Sequence, residues 1–124
     1  MEIVATDQAP AAIGPYSQAI KANGFLFCSG QIALVPGSSD LVTDSVEAET
    51  RQVLSNLKAV LEAGGSSMDQ VVKATVFLAS MDDFPRMNGA YQEAFGDHEP
   101  ARACVAVRTL PKGVNVEIDA IATC

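Results

Sequence analysis

The side chains that could do chemistry in this sequence are an arginine, a glutamate, a tyrosine and a serine, spread along the whole chain. They are Arg102, Glu117, Tyr16 and Ser29. An arginine can bind a small carboxylate through two parallel N–H···O hydrogen bonds, and a glutamate can orient and deprotonate a water molecule. A site of this composition therefore suits the binding of a small organic acid, or the attack of an oriented water molecule on it.

The motifs of other common sites are missing. The sequence has no P-loop, no GxGxxG, no HExxH and no GxSxG. Its one histidine, His98, cannot form a zinc cluster and is interpreted as a loop residue of the polar run 96–100. The cysteines, Cys28, Cys104 and Cys124, are odd in number and widely spaced, which argues against a disulfide framework or a CxxC metal site. We expect no metal, and reduced thiols in a cytoplasmic protein.

Length and charge narrow the class of protein. The chain has 124 residues, with 8 Lys and Arg against 15 Asp and Glu, and a formal net charge of -7. Nucleic acids and anionic membrane surfaces attract basic proteins, so neither is an expected partner. The N-terminus lacks the features of a signal peptide, and no apolar run approaches the length of a membrane span. We expect a single domain over 1–124, with a core modest enough that an oligomer would add useful buried surface.

Two segments have the apolar spacing of helices. In the first, Asp44 is expected to cap the helix with Glu47 as its capping-box partner, and Gly64 is expected to end it. Its apolar face consists of Val46, Val53, Leu54, Leu57, Val60 and Leu61. The second helix is predicted over about 83–95, with Pro85 in its first turn and Gly96 after its last.

Four further segments have the pattern of strands, at 25–29, 71–79, 102–108 and 114–122. The segment 71–79 is apolar on both faces, which indicates a central strand. The last two segments flank the turn-like residues 110–113, which predict a connection between two strands. This order of elements predicts an α+β fold with two helices packed on one face of a sheet.

Alternation along the last two strands predicts which residues share a face. One face, expected to cover the helices, carries Ala103, Val105, Val107, Val114, Val116, Ile118, Ala120 and Ala122. The other carries Arg102, Cys104, Ala106, Arg108, Asn115, Glu117, Asp119 and Ile121. That mixture could be a subunit interface holding a polar site, although the pattern alone favours an ordinary solvated face with surface ion pairs.

A tight hairpin at 110–113 would place Arg102 and Glu117 far apart. The separation along the strands is on the order of 13 Å. If the two residues share a site, a neighbouring subunit or a different strand order must bring them together.

Several short motifs run in order along essentially the whole chain. They are AIGPYSQA at 12–19, SGQI at 29–32, NL at 56–57, VKATVFL at 72–78, PAR at 100–102, LPK at 110–112 and VEIDAIA at 116–122. Together they resemble the Rid family, the reactive-intermediate (enamine/imine) deaminases.

The resemblance implies a chorismate-mutase-like α+β subunit with a mixed sheet, and a homotrimer with ligand clefts between subunits. It also implies hydrolysis of 2-imino acids such as 2-iminopropanoate and 2-iminobutanoate to 2-keto acids and ammonia, with no cofactor. Such imines arise, through enamines, from pyridoxal-phosphate-dependent dehydration of serine and threonine. A functional link to those dehydratases is therefore expected.

The family's site residues carry over to seven positions of this chain. Arg102 would bind the substrate carboxylate, Glu117 would hold or activate the attacking water, and Tyr16 would help to close the cleft. The residues expected to line the site are Ser29, Gly30 through its backbone N–H, Asn88, and Cys104 through its carbonyl oxygen. Cys104 as a nucleophile is an alternative, but no histidine is placed to activate it.

Three other functions stay open at this point. A non-enzymatic trimer could bind small carboxylates at Arg102 and regulate a partner. Some relatives have ribonuclease or translation-inhibitor activity, against which the acidic charge and the single histidine argue. Holdase chaperoning after oxidative modification is neither supported nor opposed by the composition.

Overall fold

The computed structural model describes residues 1–124 and contains a six-stranded sheet with two α-helices on one face. In chain order the elements are β1 (Glu2–Val4), β2 (Ala19–Ala22), β3 (Phe25–Gln31), α1 (Val46–Ala63), β4 (Val71–Leu78), α2 (Phe84–Phe95), β5 (Ala101–Ala106) and β6 (Val116–Thr123). The strand order is β1-β2-β3-β6-β4-β5. Only β4 and β5 pair in parallel, and all other pairs are antiparallel. The predicted α+β fold, a mixed sheet with both helices on one face, is confirmed.

Helix α1 is capped one residue later than the sequence predicted. The Ser45 Oγ accepts the backbone N–H of Ala48 at 3.0 Å, so Ser45 rather than Asp44 is the N-cap. The third helical residue is then Ala48 and not Glu47, and the predicted capping box does not form. This start places Val46, which is buried, on the core side at the first helical position.

Both helices end at the predicted glycines. At Gly64 a Cβ atom would lie only 2.6 Å from the Leu26 Cδ2, so the missing side chain lets the end of α1 pack against β3. Gly96 has a φ of 62°, a left-handed conformation that stops α2 and that glycine adopts without steric cost.

The last two strands do not form the hairpin that the turn residues at 110–113 would allow. Strand β4 lies between them, parallel to β5 and antiparallel to β6. Parallel pairing needs a crossover connection, which α2 provides. The chain then returns past the end of β4 to its other edge, held by hydrogen bonds from the Val107 N–H to the Leu78 carbonyl and from the Ala79 N–H to the Asn115 carbonyl. The central position predicted for the fourth strand is confirmed.

The core lies between the helices and the inner face of the sheet. In β6 the buried inner residues are Val116, Ile118, Ala120 and Ala122. They alternate with Glu117, Asp119, Ile121 and Thr123, which lie half-exposed on the outer face. The face assignment made from the sequence is confirmed for this strand.

The face predicted for Arg102 is wrong. In the β4–β5 ladder Arg102 pairs with Ala74 and Cys104 pairs with Val76, and both of these β4 residues are buried beneath the helices. Arg102 and Cys104 therefore lie on the helix side. Strand β5 is at the edge of the sheet, where even the inner face reaches solvent, so its polar residues need not point away from the helices.

The outer face of the sheet combines exposed apolar side chains with the charged Glu117 and Asp119, and no helix covers it. Phe25, Phe27, Val72 and Val105 are between 40% and 45% exposed there. Several large apolar side chains exposed on one face suit an interaction surface in a folded protein. No helix of the structure is both long and apolar enough to cross a membrane.

Candidate active site

Arg102 is held by an amide and two aromatic rings. Its Nη1 donates to the Asn88 Oδ1 at 2.7 Å. Its guanidinium carbon lies 4.8 Å from the ring centroid of Tyr91 and 5.5 Å from that of Phe84. The ion pairs within the chain join Arg51 to Glu93 and Arg86 to Asp83. Arg102 thus has a fixed orientation and no carboxylate partner, which leaves it available for an anionic ligand.

A cleft of about 420 Å³ opens beside Arg102. Its lining residues come from α2, from the loop that follows it and from the start of β5: Asn88, Tyr91, Gln92, Phe95, Gly96, His98, Glu99, Pro100 and Arg102. His98 Nε2 lies 2.7 Å from the Val71 carbonyl oxygen, which ties this loop to β4. The predicted loop histidine therefore has a structural contact.

Cys104 follows Arg102 on the same face of β5. Burial raises the pKa of the Cys104 thiol, and the nearby Arg102 charge opposes that shift. The net rise keeps the sulfur protonated, which is the reverse of what a nucleophilic cysteine needs. Burial likewise raises the pKa of Tyr91, against the opposing charge of Arg102.

Glu117 lies against a glycine in a bulged strand. The β3–β6 register shifts between Cys28 and Gln31, and this bulge contains Gly30. A Cβ atom on Gly30 would lie 3.0 Å from the Glu117 Cδ and 3.2 Å from its Cγ. A glycine within a strand often marks a close approach, and here the approaching group is the Glu117 side chain.

The pKa of Glu117 is raised by burial and, to a smaller extent, by the negative charge of Asp119. Burial also raises the pKa of Asp119, opposed by hydrogen bonding to Thr75 and by the charge of Lys73. A carboxyl group with a raised pKa is suited to take a proton from water and to return it later.

The Glu117 carboxyl group opens into a second pocket, of about 650 Å³. Its lining includes Tyr16, Ser29, Gly30, Gln31, Lys112 and Glu117. The Ser29 Oγ donates to the Ser17 carbonyl at 2.6 Å, and the Ser29 N–H donates to the Gln18 carbonyl at 2.9 Å. These bonds fix the segment that carries Tyr16, whose ring lies on the pocket rim and is 55% exposed.

The seven residues expected at the site form two groups within one chain. Arg102, Asn88 and Cys104 belong to the helix side of the sheet, and Tyr16, Ser29, Gly30 and Glu117 belong to the pocket around the outer face of β6. Along β4, Arg102 pairs with Ala74 and Glu117 pairs with Phe77. Strand β4 therefore lies between the two groups, and their positions differ by about 10 Å along it. The side chains of Arg102 and Glu117 also point to opposite faces of the sheet.

Sequence reasoning missed two residues that contact Arg102. Phe84 and Tyr91 lie seven positions apart in α2, and neither is among the residues expected at the site. That spacing puts both rings on one helix face, where they cradle the guanidinium. An aromatic pair at this spacing is the signal that could have identified them.

The sequence of this chain matches those of known proteins over nearly its whole length. The family model described as endoribonuclease L-PSP matches residues 6–124. A RutC family protein of Pyrococcus horikoshii is 52% identical over 121 residues, covering 98% of this chain and 96% of its own length. The Bos taurus 2-iminobutanoate/2-iminopropanoate deaminase is 46% identical over 121 residues, covering 98% of this chain and 88% of its own length.

Solved structures agree closely with this fold. A crystal structure from Thermotoga maritima superposes with a TM-score of 0.97 at 53% identity, covering 100% of this chain and 98% of the other. A Rid protein from Yersinia pestis superposes with a TM-score of 0.96 at 45% identity, covering 99% and 98%. These matches confirm the resemblance drawn from the motifs: the chain belongs to the endoribonuclease L-PSP family and, within it, to the Rid proteins.

Proposed function

We propose that this chain is a hydrolase that converts reactive 2-imino acids, and the enamines in equilibrium with them, into 2-keto acids and ammonia. The observation that carries the proposal is Arg102, fixed by Asn88 and Tyr91, without a carboxylate partner and open to a cleft. The activity named for the bovine relative, at 46% identity, supports the same reaction.

Arg102 supplies recognition. The substrates, 2-iminopropanoate and 2-iminobutanoate, are small anions, while the chain has a net charge of -7 and attracts no anion in general. A bidentate guanidinium–carboxylate pair provides local attraction and fixes the neighbouring C=N carbon in space. Asn88 and the Tyr91 ring keep the guanidinium oriented before the substrate arrives.

Glu117 supplies the proton transfers. As a carboxylate it accepts a proton from a water molecule while the water oxygen attacks the carbon of the protonated imine, C=NH₂⁺, giving a neutral carbinolamine. The protonated Glu117 then returns that proton to the amino nitrogen, which leaves as ammonia. As the C=O bond forms, the Glu117 carboxylate takes up the hydroxyl proton and passes it to the released ammonia, which restores the carboxylate. Because an imine is already electrophilic, positioning and charge stabilisation are sufficient catalysis, and no cofactor is needed.

The complete site forms between subunits of a homotrimer. Arg102 and Glu117 cannot meet within one chain, so Arg102 of one subunit faces Glu117 of the next. A ring joins two different surfaces of each subunit, whereas a two-fold dimer joins identical ones. The exposed apolar side chains of the outer face, such as Phe27 at 45% exposure, supply contact area for this assembly. Tyr16, on the pocket rim, closes the cleft over the bound imine.

The expected source of the substrate is a pyridoxal-phosphate-dependent dehydratase acting on serine or threonine. Such an enzyme releases an enamine that tautomerises to the imine. The chain would act on this product after release, and it needs no direct contact with the dehydratase.

The test measures 2-oxobutanoate and ammonia formed from freshly generated 2-iminobutanoate, with threonine dehydratase as the generator and spontaneous hydrolysis subtracted. Wild type should accelerate product release, and Arg102→Ala should abolish the acceleration. The control is Arg86→Ala, which removes another exposed arginine, paired with Asp83 on the surface of the same helix region. Equal rates for wild type and Arg102→Ala contradict the proposed role.

A second candidate function is a carboxylate-binding regulator without turnover. It is favoured by the Arg102 cleft, which is built entirely within one chain and needs no Glu117 to hold an anion. Calorimetry with 2-oxobutanoate, a stable carboxylate, separates the two functions when combined with the turnover assay. A regulator binds it and hydrolyses no imine.

A further inference from the structure

A buried glutamate of α1 contacts the chain just before Glu117. Glu49 is only 2% exposed. Its Oε1 accepts the backbone N–H groups of Asn115 at 2.7 Å and of Val116 at 3.1 Å. Its Oε2 accepts the Asn115 Nδ2 at 3.1 Å. No lysine or arginine pairs with Glu49, so three N–H donors from one short segment satisfy a carboxyl group that would otherwise be costly to bury.

These hydrogen bonds lie at the start of β6, beyond the last residue that pairs with β3. Strand β3 pairs with β6 only as far as the Gln31–Ile118 pair, while β4 continues to the Leu78–Val116 pair. No residue of β3 therefore pairs with Asn115 or Val116. Their backbone N–H groups donate instead to the Glu49 carboxyl group.

We propose that Glu49 is a positioning residue, which fixes the first residues of β6 and thereby holds the Glu117 carboxyl group over Gly30. The proposal rests on the catalytic role given to Glu117 in the proposed function. Glu49 itself touches no substrate and acts through the two residues that precede Glu117. Glu49 acts through the length of its side chain and the hydrogen bonds that it accepts. Its charge is not a cause of the raised pKa of Glu117, which comes from burial and from Asp119.

Two substitutions separate reach from charge. Glu49→Asp keeps the carboxyl group but shortens the side chain by one C–C bond, about 1.5 Å. Glu49→Gln keeps the length and one acceptor oxygen for the two backbone N–H groups, while the Asn115 amide can rotate to accept from the new NH₂ group. We expect the aspartate to displace β6 and the glutamine to leave it in place.

The chain offers a matched control at the other end of the same strand. The Ser66 Oγ donates to the Thr123 carbonyl at 2.6 Å, and Ser66 is also buried. Ser66→Ala therefore removes an anchor of β6 that lies far along the strand from Glu117. A loss of stability alone should affect this variant as well.

The first readout is steady-state imine hydrolysis. Glu49→Asp should lower kcat by about tenfold or more, since a misplacement on the order of 1 Å can cost that much. KM should change little, because Arg102 binds the carboxylate elsewhere. Glu49→Gln and Ser66→Ala should keep kcat within about twofold of wild type. A comparable loss in Ser66→Ala, an equal loss in Glu49→Gln, or full activity in Glu49→Asp overturns the proposal.

The second readout does not need activity. Carbon-13 NMR of labelled glutamate side chains gives the titration midpoint of Glu117, assigned by the signal missing in Glu117→Gln. The midpoint should move down, toward that of an ordinary glutamate, in Glu49→Asp and should stay at the wild-type value in Ser66→Ala. An unmoved midpoint in a folded Glu49→Asp protein overturns the proposal. If wild type hydrolyses no imine, the proposed function fails, and this titration still decides whether Glu49 positions Glu117.

Discussion

Arg102 and Glu117 lie on opposite faces of one sheet, with β4 between the strands that carry them. Each side chain has its own pocket, and the two pockets share no residue. A reaction that needs both groups must therefore use two copies of the chain, so under the proposed function the strand order makes activity depend on assembly.

Two inactive variants should restore each other's activity. In the proposed trimer, when it is mixed from Arg102→Ala and Glu117→Ala chains, some sites should combine the intact Arg102 of one chain with the intact Glu117 of another. Random mixing makes about a quarter of the sites complete, because each site draws on two subunits of a ring. The measurement is imine hydrolysis after the variants are unfolded and refolded together. A chain carrying both substitutions, mixed with either single variant, should give no recovery, and recovery there contradicts a shared site.

Gly30→Ala should lower activity while the fold persists. The new Cβ would lie 3.0 Å from the Glu117 Cδ, so the carboxyl group must move, and kcat should fall on the order of tenfold. Thermal unfolding and kinetics on the same samples check this. Gly89→Ala is the control, because nothing lies within 4 Å of a Cβ at that helical position. It should stabilise the chain by about 0.5–1 kcal/mol with kcat unchanged, and unchanged kcat in Gly30→Ala refutes the prediction.

The pH profile of kcat should show an acid limb above the ordinary glutamate range. Burial and the charge of Asp119 raise the pKa of Glu117, so protonation removes the general base at a higher pH than usual. Asp119→Asn removes a like charge and should shift the limb to lower pH. Stopped-flow rates from pH 4 to 8, corrected for spontaneous hydrolysis, test both statements. A limb that stays in place in Asp119→Asn shows that Asp119 does not act on the base.

The raised pKa of Glu117 should also make the thermal stability of the protein depend on pH. A carboxyl group whose pKa is raised by folding contributes stability below its unfolded pKa and loses it as the pH rises through its folded pKa. Glu117→Gln cannot ionise, so its Tm should exceed that of wild type at pH 7 to 8 by more than at pH 4. Thermal unfolding across this range is the measurement, and a Tm difference that is constant with pH contradicts the raised pKa.

The three thiols should differ in reactivity. Burial, with smaller effects from Asp119 and Cys124, raises the pKa of Cys28 to about 12, so its thiolate is scarce at neutral pH. Cys124 is exposed, and Cys104 is half-buried. Alkylation by iodoacetamide followed by mass spectrometry should label Cys124 first and Cys28 only after unfolding. Rapid labelling of Cys28 in the native protein is the contrary result.

Local patterns predicted the elements that bury apolar side chains. Burial determines three local patterns directly: the spacing of leucines and valines in α1, the two apolar faces of β4 and the alternation in β6. These three elements could therefore be predicted from the sequence. Gly30 lies within a predicted strand region, and a glycine at such a position is a local signal of close approach. The three-residue β1 was not predicted, because so short a strand leaves no periodicity.

Errors arose where distant partners decide the structure. The turn residues at 110–113 suggest a hairpin, but the parallel partner of β5 is chosen by the crossover through α2, which no local pattern encodes. The face of Arg102 was wrong because alternation cannot show that a strand lies at a sheet edge. Glu49 and Asn115, which are 66 positions apart, meet only in the fold. The candidate site could thus be predicted as a set of residues but not as an arrangement.

Alternate residues of strand β6 face opposite sides of the sheet and differ in chemical character. Its odd-numbered residues include Glu117 and Asp119, and its even-numbered residues, from Val116 to Ala122, fill the core. A slip of one residue would exchange the two sets, burying the carboxyl groups and exposing the aliphatic side chains. The register of β6 therefore fixes two things at once: the packing of the core and the face on which Glu117 and Asp119 lie. A strand that paired out of register would lose both.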